Sequence, residues 1–178
     1  MHEPLKTEAA NPPATPGATT CQLEFSLNGK PMRCTVPVER TLADFLHDDL
    51  GLIGTKLGCS RGVCGACVTL VDGIPRASCS TFAFQVAGCE VLSIEGMETD
   101  GRLSVIQQAF IDRGAFQCGY CTAGMVLLTR ALLEHHPDPD RDTIVEWLSS
   151  NVCRCTGYAL IIEAVEQAAR VLRGGSAT

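Results

Sequence analysis

Apolar residues change their period once along this chain. In the first half they alternate: Cys21, Leu23, Phe25 and Leu27 fall on one face, and after Asn28-Gly29 so do Met32, Cys34, Val36 and Val38. Alternation on both sides of an Asn-Gly dipeptide predicts a β-hairpin with one buried side, because successive strand side chains point to opposite faces and Asn-Gly suits a tight turn. Leu42, Phe45, Leu46 and Leu50 recur at helical spacing behind Thr41, with Asp44 three residues on and Gly51 at the end, so a short capped helix is expected. Val68, Thr69, Leu70 and Val71, followed by Asp72-Gly73, predict a second hairpin, and residues 90–94 a last strand. Beyond the polar run GMETDG at 96–101 the period lengthens. Ile106, Ala109, Phe110 and Arg113 outline one helix, and Met125, Leu128 and Leu132 a second. Ile144, Trp147 and Leu148 outline a third, with Asp142 as its cap, and Ile161, Ala164, Val165, Ala168 and Leu172 a fourth. Pro137 and Pro139 separate the second from the third, since proline cannot continue a helix.

The pattern therefore predicts an α+β chain. A sheet grasping one helix spans residues 21–97, and an all-α four-helix bundle spans residues 98–173. Residues 1–20 carry much Pro, Ala and Thr and are expected to form a disordered extension, with 174–178 a flexible tail.

With 178 residues and 46% hydrophobic composition the chain is globular, but two domains of this size are each short of core, a deficit that metal centres can offset. A net charge of −6 with no basic cluster argues against a nucleic-acid binder, which relies on phosphate contacts. No apolar run approaches the roughly 20 residues that span a bilayer, so no transmembrane segment is expected. Residues 1–20 hold neither an apolar stretch nor a twin arginine, which makes the cytoplasm the expected location. Eleven cysteines in a reducing compartment then point to metal-bound thiolates ahead of disulfides.

Eight of those cysteines fall into two groups. Cys59, Cys64, Cys67 and Cys79 are spaced C-x4-C-x2-C-x11-C, the plant-type ferredoxin pattern for one 2Fe-2S cluster. Gly58, Gly62 and Gly65 stand between or beside them, able to adopt positive φ and bring backbone amides to sulfur. In the helical half, Cys118 and Cys121 form C-x2-C before the second helix, and Cys153 and Cys155 form C-x-C before the fourth. Helix N-termini present free N–H groups and the positive end of the dipole, which favour thiolates. Two such pairs can converge on one centre. Zinc remains open for each quartet, more so for the second, because four thiolates also satisfy a tetrahedral structural site. Of the remaining cysteines, Cys21 and Cys34 read as small buried hydrophobes and Cys89 as structural. His135 and His136 read as a helix-end cap, Trp147 as core packing or a subunit contact, and Lys56, Arg61 and Arg154 as solvated charges.

Three motifs, GCSRGVCGACVTL with Cys79, QCGYCTAGM at 117–125 and NVCRCTGY at 151–158, together closely resemble the iron-sulfur subunit of the xanthine dehydrogenase family of molybdenum hydroxylases. The resemblance covers about residues 23–172. It implies a β-grasp ferredoxin-like domain and a four-helix-bundle domain, each with one 2Fe-2S cluster. Cys59, Cys64, Cys67 and Cys79 match the ligands of a flavin-side cluster; Cys118, Cys121, Cys153 and Cys155 match those of a molybdenum-side one. Gln117 matches a position that hydrogen-bonds the molybdopterin held by the partner, and Cys155 the ligand whose sulfur touches the pterin amine. Ala123 departs from the related motif, which often has proline after CT, and this removes no ligand. The implied role is that of the iron-sulfur subunit of an oxidoreductase complex. Single electrons would pass from a large molybdopterin-binding subunit to an FAD-binding subunit or external acceptor, with no catalytic residue in this chain. A free-standing two-cluster ferredoxin or redox sensor, and a zinc-stapled interaction module, are the rival readings.

Overall fold

A computed structural model describes residues 19–174. The expected extension and tail lie outside these residues apart from their inner edges, and Thr20 already belongs to the first strand.

Strands β1 (Thr20–Leu27) and β2 (Lys30–Pro37) form the expected hairpin, with Leu23 opposite Cys34 and Phe25 opposite Met32. Asn28 and Gly29 turn it with φ of 51° and 74°, the double positive φ of a type I′ turn that Asn-Gly accepts at low cost. Strands β3 (Val68–Val71) and β4 (Ile74–Ala77) make the second hairpin, turned by Asp72 and Gly73 in the same way. Strand β5 (Glu90–Leu92) enters the middle, parallel to β1 and antiparallel to β3, giving the order β2-β1-β5-β3-β4. It stops two residues short of the expected end because Ser93 turns aside to Asn28. The Asn28 Oδ1 accepts from Ser93 N at 2.9 Å and its Nδ2 donates to Ser93 Oγ at 3.0 Å.

The expected first helix is also altered. Helix α1 (Leu42–Asp44) makes one turn, capped by Thr41 Oγ accepting from Asp44 N at 3.1 Å, then widens into a π-helical turn over Phe45–Asp49. The end of the wide turn is tied down by Arg40, whose guanidinium donates to both oxygens of the buried Asp49 carboxylate at 2.9 and 2.6 Å. A two-pronged pair of this kind fixes direction as well as distance.

After a narrow bridge between Thr99 and Arg102 come α2 (Val105–Asp112), α3 (Thr122–His135), α4 (Arg141–Leu148) and α5 (Ala159–Leu172). Asp140, and not Asp142, caps α4, its Oδ1 accepting from Thr143 N at 2.8 Å. Asp140 itself is extended, with φ −72° and ψ 169°, so it stands at the non-helical position just before the first turn, where a side-chain oxygen can reach the Thr143 amide. Helix α3 is buried along most of its length, packed on α2, α4 and β3.

Among the described residues two large apolar cores result, with a small third cluster of Ala43, Cys67 and Cys79 beside the first ligand loop. One joins Leu23, Phe25, Leu27 and Val36 of the first hairpin to Leu42, Phe45 and Leu46. The other joins Met125, Leu128, Leu132, Ile144, Ile161 and Val165 of the helices to Val68 and Leu70 of β3. Strand β3 is buried on both faces and contributes Val71 to the first core, so sheet and helices meet through a shared strand.

Candidate metal centres

The first quartet sits on an open loop between the π-helical turn and β3, with Cys79 brought back by a 3-10 turn over Ser78–Ser80 after β4. The loop is closed by backbone amides aimed at sulfur. Arg61 N and Val63 N each donate to Cys59 Sγ at 3.4 Å, and Gly62 N donates to Cys79 Sγ at 3.2 Å. Gly62 and Gly65 take φ of 70° and 72°, as expected, but the third left-handed residue is Ser60 at 50°, not Gly58. Gly58 is needed for room: a Cβ there would stand 3.0 Å from Cys64 Sγ.

These thiols come as two pairs. Cys59 lies beside Cys64, both half-buried, and Cys67 beside Cys79, both buried. The amides of Val63, Arg61 and Cys64 hold the Cys59 thiol down at about 6, while burial pushes Cys67 up to about 12.

The second quartet is paired the same way. Cys155 and Cys118 sulfurs lie 3.6 Å apart at the surface, and Cys121 hydrogen-bonds the buried Cys153. Cys121 caps α3, whereas Cys153 and Cys155 lie on the loop that Tyr158, at φ 69°, turns into α5. Burial, then the bond to Cys153, pushes Cys121 up to about 12. Burial also opposes the thiolate at Cys153, but bonds from Thr156, whose hydroxyl lies 3.1 Å away, from the Cys155 amide and from Cys121 outweigh it and hold this thiol below its ordinary value.

Pairing bears on which group fits. A structural zinc would draw four sulfurs to about 2.3 Å from one point. Two close pairs per quartet fit a two-iron cluster, whose irons each take two thiolates. No cysteine is engaged in a disulfide.

The two quartets adjoin. Val152 N donates to the carbonyl of Cys64 at 2.9 Å, and Tyr120 Oη donates to the carbonyl of Leu57 at 2.7 Å. Asn151 is buried against Gly65, and the Gly65 carbonyl lies against Gly124 of α3, where a Cβ would overlap it. Tyr158 braces the second loop, its Oη accepting from Cys153 N at 2.8 Å and donating to Asn151 O at 3.0 Å. Tyr120, Asn151 and Tyr158 carry no periodic or spacing signal, and only the fold reveals what they do.

The side chains of the other singled-out residues are placed as follows. Gln117 is exposed on the loop before Cys118, between the exposed Phe116 and that thiol. Cys34 is buried, and Cys21 is half-buried with its thiol 3.8 Å from Val36 O. Cys89 is half-buried beside Asp72, whose hydrogen bond pushes its thiol up. Arg61 and Arg154 are exposed, and Lys56 donates to Ile53 O at 2.6 Å. His135 and His136 end α3 with their rings 5.8 and 6.0 Å from Trp147.

Residues 25–93 match the family model described as a 2Fe-2S iron-sulfur cluster binding domain, and residues 93–166 the one described as a 2Fe-2S binding domain. The chain is thus a protein of two 2Fe-2S-binding units. It is 45% identical over 144 residues to the nicotine 6-hydroxylase small subunit of Paenarthrobacter nicotinovorans, covering 81% of this chain and 87% of that one. It is 42% identical over 146 residues to the nicotinate dehydrogenase small FeS subunit of Eubacterium barkeri, covering 82% and 93%. The solved quinoline 2-oxidoreductase from Pseudomonas putida 86 superposes with a TM-score of 0.84 at 42% identity, over 88% of this chain and 98% of the matched one. Aldehyde oxidoreductase from Desulfovibrio gigas superposes with a TM-score of 0.83 at 37% identity, over 86% of this chain but 17% of that longer one. The chain belongs to the family of iron-sulfur small subunits of the molybdenum hydroxylases.

Proposed function

We propose that this chain is the electron-transfer subunit of a heteromeric molybdenum hydroxylase. It takes single electrons from a molybdopterin centre in a large partner subunit and delivers them to an FAD-binding subunit or an external acceptor. Residues 21–97 act as a β-grasp ferredoxin-like domain and residues 98–173 as a four-helix-bundle domain. Cys59, Cys64, Cys67 and Cys79 hold one cluster; Cys118, Cys121, Cys153 and Cys155 hold the other. The observation that carries this reading is the resolution of each quartet into two sulfur pairs.

A 2Fe-2S cluster supplies one-electron chemistry that no side chain of this chain offers. The polypeptide provides the rest. Amides of Arg61, Gly62 and Val63 compensate negative charge on Cys59 and Cys79. Burial of Cys67, Cys79 and Cys153 keeps water from the inner side of each site. The Cys64 carbonyl and Val152 amide join the two ligand loops through one hydrogen bond, one residue from Cys153. Cys118 and Cys155 reach the surface, with the exposed Phe116 and Gln117 directly preceding Cys118, which suits contact with a cofactor held by the partner, Gln117 bonding the pterin and Cys155 touching its amine. In the D. gigas aldehyde oxidoreductase the matching segment is part of a much longer polypeptide. That supports assigning substrate chemistry here to other chains. No helix among the described residues is long and apolar enough to cross a membrane, and we place the complex in the cytoplasm.

Two reduced paramagnetic signals are expected on stepwise reduction, with four irons and four labile sulfides per chain. Cys59→Ser should remove or alter one signal and Cys118→Ser the other. A colourless protein with one zinc per quartet would overturn the assignment, and a chain that never copurifies with a molybdenum-containing subunit would overturn the partner.

A further inference from the structure

Asn151 is fully buried, yet neither its Nδ2 nor its Oδ1 has a hydrogen-bond partner in the polypeptide. Its backbone is fully engaged, N donating to Leu148 O at 3.0 Å and O accepting from Tyr158 Oη at 3.0 Å, so the side chain has little freedom to leave. Burying an unpaired amide is costly. An apolar residue of the same size would serve packing better, unless a group other than the polypeptide completes the bonds.

The position says which group. One end of the carboxamide lies against Gly65, between Cys64 and Cys67. The other lies near Gly124, three residues after Cys121, where a Cβ would stand 3.0 Å from Nδ2. Asn151 itself is two residues before Cys153. The Thr122 hydroxyl, next to Cys121, is likewise buried and unpaired. Unmatched polar atoms therefore gather where the two quartets adjoin. The Gly65 carbonyl there already accepts from Val68 N at 3.0 Å, and no cysteine sulfur accepts from the Asn151 amide, so the missing partner is a group the polypeptide does not supply.

We propose that Asn151 is a positioning residue for electron transfer, its side-chain N–H group donating to an inorganic sulfide of a cluster where the two centres adjoin. A hydrogen bond to sulfur spreads the negative charge that arrives with an electron, so it favours the reduced form and raises the reduction potential of that centre. The inference rests on the two-cluster reading above.

Asparagine occurs in this chain only at 11, 28 and 151, so 15N-labelling of the asparagine side-chain amide gives a sparse probe. Pulsed paramagnetic resonance of the reduced full chain is expected to show a 15N coupling on one centre's signal. The coupling should be lost in Asn151→Leu, with a lower midpoint potential for the same centre. A wild-type spectrum without the coupling, together with unchanged potentials in a fully loaded Asn151→Leu, overturns the inference. Should Asn151→Leu fail to take up iron, the labelled wild type alone decides, its coupling supporting the role and its absence refuting it. A wild-type chain without two iron-sulfur signals overturns the underlying reading, which is seen before any substitution is made.

Discussion

Eleven cysteines share one chain, and their surroundings sort them into different chemical kinds. Backbone amides hold Cys59 at about 6, whereas burial, with help from Cys21 and Asp49, pushes Cys34 up to about 11 from its ordinary 9.0. A thiol raised in this way favours the folded state as the neutral species. Its contribution is complete below 9.0 and is lost as pH rises from there through about 11. Cys34 should therefore resist alkylation in the native protein at pH 8 and react on unfolding, as peptide mass mapping would register. Gly124 makes the opposite point about size. A methyl group there would overlap the Gly65 carbonyl, so Gly124→Ala on a helix should disturb the thiol loop of the sheet half. The expected cost is about 1–3 kcal/mol, typical of overpacking, read by denaturant titration, with altered resonance from the first centre as well as the second.

At the level of elements, what was legible depended on whether the signal was local. The two hairpins announce themselves by alternation and by Asn-Gly and Asp-Gly, and both turns take the double positive φ those dipeptides favour. Helix α2 was outlined by Ile106, Ala109, Phe110 and Arg113 alone, and the structure adds its cap: Ser104 Oγ accepts from Gln107 N at 3.3 Å while Ser104 N donates to Gln107 Oε1 at 2.9 Å. Ser104→Ala should cost about 1 kcal/mol, seen as a lower denaturation midpoint with unchanged cluster content. Three features were not readable in this way. The π-helical turn depends on Arg40 reaching Asp49, the cap of α4 on the extended backbone of Asp140, and the end of β5 on Asn28, 65 residues from Ser93. Each is decided by a partner or a chain direction that periodicity does not encode.

Among the described residues the two halves meet through β3, through Leu92 at the end of β5 with Ile94 and Met97 beyond it, and along the seam between the thiol loops. Val68 and Leu70 face the helices while Val71 faces the first hairpin, so one strand serves both cores. Expressed alone, residues 19–97 should expose Val68, Leu70 and Met97, bind an apolar dye and lose cooperative unfolding, where the full chain does neither. A sharp cooperative transition of that segment would show that the shared core is dispensable. The seam has the same logic at the metal centres, where Val152, Asn151 and Gly124 of the helical half touch the loop of the sheet half.

The eight thiols, their division into two quartets and the change from strand to helix period were written in residue spacing, because ligand loops and secondary structure are short-range and leave short-range marks. Which thiol pairs with which, that one pair of each quartet is shielded while the other meets solvent, and that Asn151 lies buried between the two sets belong to the fold alone. They depend on contacts between residues tens of positions apart, brought together only when β3 is covered on both faces and the helices close over it.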